Sequence, residues 1–416
     1  MARLKFGLCL FVPFAAAYFV SYLFRVINAV VAGPLVDEFD LNAAQLGVLT
    51  SIYFLTFAAV QLPAGVAIDR FGPSRVQGVL LTIAAIGALV FATASGIAGL
   101  LIGRGLIGLG VAAALIAGLK AIADEFPQER LPLLNGAFVA FGAAGAVTAT
   151  APLEWLLARL DWRSVFVLLS VLTMFVALLF PLVVRQPCRR EAPTRSAFLD
   201  VQRIYIDPRF WRLAPISALC IGTAWAFQGL WVAPWLADVI LLGRAEIVQH
   251  LFIMGVSLCA GALLIGIVSQ AARSLGIGPA SLFGVVASVF IAAELALVCR
   301  VPLPSEGICA VLAAMGGATV LSYALLTDLY PRDVRGRANA ALNILHIGAA
   351  FAVQTSIGLI VGLWERDGGG HYPAHAYQIA FFTIAILQLA ALIWFLRPVP
   401  LAHQWIAPPR RSADRP

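Results

Sequence analysis

Apolar residues run along this chain in long continuous blocks, separated by short turns rich in Gly, Pro and charge. Each block is at least as long as the roughly 20 residues a helix needs to cross a bilayer. Within a block the hydrophobicity is continuous rather than alternating, which argues against a membrane barrel. The pattern predicts spans over 7–33, 43–68, 75–96, 98–123, 130–158 and 163–184, then over 211–241, 246–271, 279–301, 307–330, 336–363 and 377–397. The fold class is therefore an all-α integral membrane protein with twelve transmembrane helices in two pseudo-symmetric six-helix bundles. The expected units are a first bundle (1–184), a basic linker (185–210), a second bundle (211–397) and a tail (398–416). Residues 1–17 have the charge and apolar run of a signal peptide, but apolar sequence continues to Ala32, so the segment reads as an uncleaved first span.

Composition agrees, with 61% hydrophobic and 12% charged residues, against about 25% charged in a soluble domain. The net charge of +7 is a matter of topology rather than of a nucleic-acid partner, because its Arg residues are spread over loops on one side. Seven fall between Arg185 and Arg212, which by the positive-inside rule makes that linker cytoplasmic and, by alternation, both termini as well. Arg70, Arg75, Arg332, Arg335 and Arg337 then lie inside, while Asp37, Glu38 and Asp40 lie outside. The six Cys have no metal-ligand or C-x-x-C spacing and read as small buried hydrophobes. No P-loop, H-E-x-x-H or G-x-S-x-G is present, so neither enzyme, cofactor nor metal is expected, and work must draw on an ion or substrate gradient.

The halves repeat weakly. Gly65 and Asp69 correspond to Gly266 and Gln270 at an offset of 201, and Pro34 corresponds to Pro234 at 200, as expected of a transporter built from repeated units.

Several polar residues fall inside spans. Arg25 shares a helical face with Tyr18 and Tyr22. A permanently charged Arg inside a membrane needs an anion, a structural carboxylate or a water-filled cavity. Lys120 either adds a second positive charge to that cavity or snorkels to water from the inner end of its helix. Glu294, mid-span in the ninth helix, is either a proton-coupling group or a neutral structural acid, and His346 in the eleventh is the alternative proton carrier or a packed side chain. On the seventh span Trp225, Gln228 and Trp235 share a face. Trp235 fits an interfacial anchor, and Gln228 is a substrate-site candidate together with Asn343. Glycines at 108 and 110 and from 136 to 145 suit close helix packing.

The turn Gly65-Val-Ala-Ile-Asp69-Arg70-Phe71-Gly72-Pro-Ser-Arg75 resembles the loop between the second and third helices of the major facilitator superfamily of transporters. Arg104-x-x-x-Gly108-x-Gly110, Trp162-Arg163 with Phe166, and Gly336-Arg337-Ala338-Asn339 with Asn343 resemble further motifs of that superfamily. Ala16-Ala17-Tyr18 with Tyr22 and Arg25 looks like the first span of its organic-anion and sugar-phosphate permease branch. The phosphate exchangers of that branch hold phosphate between this Arg and a second one on the seventh span. Here the repeat maps Arg25 onto Trp225 or Ala226, so that clamp is missing.

The resemblance implies alternating access about a central cavity lined by the first span, with Gly65, Asp69, Arg70, Gly72, Arg75 and Arg104 as gating-motif residues. The expected function is a proton-coupled secondary transporter of a small organic anion, monomeric, in a bacterial inner membrane. Its substrate-binding candidates are Arg25, Tyr18, Tyr22, Lys120, Gln228 and Asn343, and its coupling candidates Glu294 and His346. Efflux of amphipathic compounds and a transporter-like sensor are the alternatives. Asp69 is expected to act as a latch on the N-terminus of the eleventh helix near Gly336.

Overall fold

The computed structural model describes residues 2–127, 130–183, 202–331 and 334–397. Most of the expected linker and all of the expected tail fall outside these residues. Ten helices are long and apolar enough to cross a membrane, and twelve spans result when each of two bent pairs is taken as one. In chain order the first six are α1a (Ala2–Val26) with α1b (Asn28–Phe39), α2 (Ala43–Phe71), α3 (Pro73–Ala92), α4a (Ile97–Val111) with α4b (Ala114–Glu125), α5a (Leu131–Thr148) with α5b (Ala151–Leu157), and α6 (Trp162–Val183). The second six are α7 (Pro208–Ile240), α8 (Arg244–Ser274), α9 (Pro279–Val298), α10a (Ser305–Ala318) with α10b (Leu321–Leu329), α11 (Arg335–Val361) and α12 (Ala374–Leu396).

Local chemistry sets the ends. Asn42 and Gln45 form a reciprocal capping box that starts α2. Gly72, at φ 85°, ends α2 in a conformation that only Gly adopts without strain, and Pro73 opens α3. Asp207 caps α7 by accepting from the Arg209 amide at 2.9 Å, and it also accepts from the Tyr330 hydroxyl at 3.0 Å. Burial acts to raise its carboxyl, but these bonds and the Arg209 guanidinium outweigh that and hold it below the usual carboxylate range.

The first six spans pack on one another, α3 against α4a and α6, α1a against α5a and α2 against α4a. In the second six, α8 packs on α10a, and α7 on α11 and α12. Glycines permit the closest approaches, as expected for membrane helices. A Cβ on Gly145 would stand 2.1 Å from the Phe19 carbonyl, and one on Gly108 2.3 Å from that of Tyr53. Gly136, by contrast, faces open space, so close packing does not explain it. The outer faces are apolar in the helical period, as at Val171, Phe175, Leu178 and Leu182 of α6. Of the four described Cys side chains, Cys220 and Cys309 are buried, Cys259 is half-buried and Cys299 is exposed, so the small-buried-hydrophobe reading fails at Cys299.

The hydrogen bonds that join the halves across described residues gather on the membrane face away from the Gly65–Arg75 turn. Thr355 of α11 donates to Ser51 of α2 at 2.8 Å, and the Ala43 amide donates to the Tyr372 hydroxyl at 2.9 Å. Arg244 of α8 holds Glu154 of α5b at 2.5 and 2.8 Å, and Arg366 donates to the Leu41 carbonyl. At the opposite face Gly336, at the start of α11, has nothing near its Cβ position. The expected contact of Asp69 with the start of α11 is not what the structure shows. Asp69 pairs with Lys120 of α4b at 2.5 Å, inside its own half.

Both partners are partly exposed, 47% for Asp69 and 31% for Lys120, so the pair contributes at most about 1 kcal/mol to stability. Asp69→Asn is expected to leave the melting temperature unchanged while slowing turnover, and the exchange Asp69→Lys with Lys120→Asp to recover part of the rate. Uptake in proteoliposomes beside thermal unfolding checks this, and an equal loss of both quantities would speak against a latch.

Candidate substrate site

Besides α5, four spans are interrupted along their length. The break between α1a and α1b falls at Ile27 with a bend of 46°. That between α4a and α4b falls at 112–113 and that between α10a and α10b at 319–320, while α7 widens into π-helical turns over Phe227–Trp231 and Leu236–Ile240. The first of these π-turns begins 200 residues after Ile27, the same offset that relates Pro34 to Pro234. Freed backbone groups in a membrane must find partners. Arg104, fully buried, donates to the Phe24 carbonyl at 2.7 Å and lies over the Tyr53 ring at 4.8 Å. Ser21 and Gln61 donate to the Val111 and Ala112 carbonyls at 3.4 and 3.1 Å. Arg104 thus supports the backbone next to Arg25 rather than the Gly65–Arg75 turn. In that turn Gly65 and Gly72 have open space at their Cβ positions, Arg70 lies beside Phe71, and Arg75 is exposed.

Arg25 stands at the α1–α7 crossing, where a Cβ on Gly229 would lie 3.5 Å from its carbonyl oxygen. Its guanidinium carbon is 4.4 Å from the centre of the Tyr22 ring and 4.4 Å from that of Trp225, with Phe57 at 5.8 Å. Trp225 in turn lies nearly parallel to Phe54, 7° apart at 6.1 Å. Tyr18 stacks on Phe138 at 4.9 Å and meets Tyr22 edge-on at 5.1 Å. Arg25 is only 8% exposed. Its Nε has no hydrogen-bond partner, and no carboxylate pairs with it among the described residues. Of the three ways to keep an Arg in a membrane, the structural acid is therefore absent. Aromatic faces shield the charge, and the Tyr53 hydroxyl interacts with the guanidinium.

Tyr323 of α10b lies within electrostatic reach of Tyr22 and Arg25. It contacts Asn343 Oδ1 at 3.1 Å and His346 Nδ1 at 3.0 Å, and His346 Nε2 contacts the Ser217 hydroxyl at 2.8 Å. Hydrogen counting assigns the protons. If the Tyr323 hydroxyl gives its hydrogen to Asn343, Nδ1 must carry one to donate, and Ser217 donates to Nε2. Gln228 is buried with its Nε2 unpartnered, on the side of α7 toward Gly255. The structure thus brings Tyr18, Tyr22 and Arg25 of the first half together with Tyr323, Asn343 and His346 of the second.

Two candidates lie elsewhere. Lys120 is engaged with Asp69, which corrects its reading as a second free charge in the cavity. Glu294 is fully buried, and its neighbours are Gln388 of α12 and Cys220 of α7. Neither of its oxygens has a partner in hydrogen-bond geometry, nor has Gln388 Oε1, while Gln388 Nε2 donates to Thr223 at 2.9 Å. The geometry suits a carboxylic acid whose O–H is given to Gln388, tying α9 and α12 to α7. A cavity of about 360 Å³ lies on the far side of Trp231, whose indole N–H closes onto the Gln354 carbonyl at 3.1 Å; Asp238, Arg244 and Arg366 line it. Sequence reasoning missed the role of Trp225, although the repeat had already set it opposite Arg25.

Twelve spans in two halves, with interrupted helices converging on a buried cation, define a membrane transporter. The chain belongs to the Major Facilitator Superfamily, whose family profile matches residues 14–353. It is 25% identical over 406 residues to the probable sulfoacetate transporter SauU of Cupriavidus necator, covering 92% of both chains. It is 31% identical over 184 residues to the uncharacterized transporter YybO of Bacillus subtilis, and 25% identical over 187 residues to the hexuronate transporter of Escherichia coli K12. Each of these two matches spans 42% of the relative's length. Among solved structures, a bacterial homologue of the human lysosomal transporter Spinster, inward-facing and unoccupied, superposes with TM-score 0.75 at 19% identity, over 93% of this chain and 95% of that one. The D-xylose–proton symporter follows with TM-score 0.71 at 15% identity, over 95% and 98%. At these identities the structures speak for the fold.

Proposed function

We propose that the protein carries a small organic anion with a carboxylate-type head across a bacterial inner membrane by alternating access, as a monomer coupled to protons. The observation that carries this reading is Arg25, buried at the junction of the halves among aromatic rings with no acid beside it among the described residues. A hydroxylated anion fits the remaining lining. Its carboxylate meets the guanidinium edge, and its hydroxyls meet Tyr323, Asn343 and Gln228. The names of the relatives, which include transporters of sulfoacetate and hexuronate, support the same class.

The positive-inside rule puts the Gly65–Arg75 turn and both termini in the cytoplasm, which makes the face sealed by Ser51–Thr355 and Glu154–Arg244 the outer one and the present state inward-facing. His346, beside Tyr323 and Asn343, is the better placed proton carrier, because Glu294 lies within the second half behind α7.

The test is uptake of labelled galacturonate and sulfoacetate into proteoliposomes with and without a pH gradient. Accumulation with an acidic exterior is the expected result, and binding without exchange would point to a sensor. In the same assay Glu294→Gln is expected to keep both uptake and its pH dependence. Glu294→Ala, which opens a cavity and strands Gln388, is expected to cost about 2–4 kcal/mol of stability. A pH dependence lost in Glu294→Gln would move the coupling role to Glu294.

A further inference from the structure

Arg25 belongs to the first half of the chain and Trp225 to the second, so their contact at 4.4 Å is a bridge between the moving parts. The two stand 200 positions apart, as Pro34 and Pro234 do. The place that would hold a second charge opposite Arg25 therefore holds an indole. This difference matters most when nothing is bound. Two guanidiniums across a narrow, water-poor gap repel, and the gap closes only around an anion. A guanidinium and an indole attract each other, more strongly as water is removed. Trp225 is also seated, because Phe54 of the first half lies almost parallel to it at 6.1 Å. With Tyr22 also beside the guanidinium at 4.4 Å, the Arg25 charge is shielded without a counter-anion.

We infer that Trp225 is an empty-state clasp: its indole takes up the Arg25 guanidinium when no anion is present, so the unloaded protein closes and reorients, and transport is net movement rather than obligatory exchange. The consequence for transport rests on the anion role proposed for Arg25. The clasp itself is testable without substrate.

Ser51 is fully buried in the closed outer seam, where Thr355 donates to it at 2.8 Å. Ser51→Cys, in the full chain with its six native cysteines replaced, reports each opening of the outer face by reacting with a membrane-impermeant maleimide. In right-side-out vesicles in Tris chloride, without organic anion, the parent protein is expected to label progressively. Trp225→Phe, which keeps an aromatic face, should label within about threefold of that rate, and Trp225→Leu about fivefold more slowly. Trp225→Arg should slow labelling at least about tenfold, and adding Arg25→Gln to it should restore the rate, because the repulsion is gone.

A parent protein that does not label, a Trp225→Arg variant that labels at the parent rate, or a double variant as slow as the single one would overturn the clasp. If Trp225→Arg does not reach the membrane, Trp225→Leu decides, and an unchanged rate there is equally fatal. Failure of the anion reading shows separately, as galacturonate and sulfoacetate that do not shift the melting of the parent protein while the labelling pattern stands.

Discussion

Replacing Arg25 by glutamine is expected to lower kcat/KM for the transported anion by at least about thirtyfold, with insertion and folding intact. Truncating one partner of a buried, hydrogen-bonded charge pair costs about 2–5 kcal/mol, which is a factor of roughly thirty to several thousand. The lower end applies only if the substrate keeps contacts to Tyr323 and Asn343 that compensate. Arg25→Lys should recover little, because an ammonium can neither lie flat between Tyr22 and Trp225 nor present two parallel N–H groups to a carboxylate. Stability separates this expectation from a structural defect. Among the described residues no carboxylate loses a partner in either variant, and Arg25→Gln removes a buried cation whose Nε is unpaired. The melting temperature should therefore hold or rise. Uptake and thermal unfolding, measured on one preparation, check both halves of the argument, and unchanged uptake in Arg25→Gln would end the anion-site reading.

The extent to which such a site is visible in sequence depends on which physical signal each part leaves. Span ends are set by local matters such as the Asn42–Gln45 cap, the Gly72 turn and the run of apolar residues. The expected 43–68 and 279–301 accordingly become Ala43–Phe71 and Pro279–Val298. The break at Ile27 leaves no such mark. Pro13 and Pro34 lie within α1a and α1b, and neither is at the bend. What betrays the break is polarity, with Arg25 and Asn28 buried on either side of it. The seven-residue α5b is easier, since Thr150 and Pro152 stand at the bend.

Long-range partners are another matter. Lys120 read equally well as a cavity charge or as a snorkelling one, and its true partner, Asp69, lies 51 residues away on a turn that had a plausible target of its own at Gly336. That choice depends on which face of the protein is open, a property of the conformational state and not of any local pattern. Trp225 shows the intermediate case. The repeat placed it opposite Arg25, but only the crossing of α1 and α7 turns that correspondence into a contact.

Gly358→Val is expected to hold the outer face open and reduce turnover by roughly five- to a hundredfold, the range that follows from about 1–3 kcal/mol of overpacking. Gly358 of α11 faces Gly47 of α2 across the seam between the halves. A Cβ there would stand 2.7 Å from the Ala43 carbonyl, 3.0 Å from the Gly47 Cα and 3.1 Å from the Trp231 ring. Backbone on one side and a buried indole on the other leave the added methyls no flexible neighbour to displace, so the strain is relieved only by parting the seam. Loss of the seam takes with it the Thr355–Ser51 bond, which joins the two halves on this side. Binding from outside should survive, because the Arg25 site is untouched, and Ser51→Cys should react with maleimide faster in the Gly358→Val background than alone. Gly348→Ala, on the same helix but with nothing near its Cβ position, is the matched control and should transport normally. Equal uptake by Gly358→Val and the parent protein would mean that the two halves do not need to close at this seam. Slower labelling would mean that the valine jams the seam shut instead of propping it open.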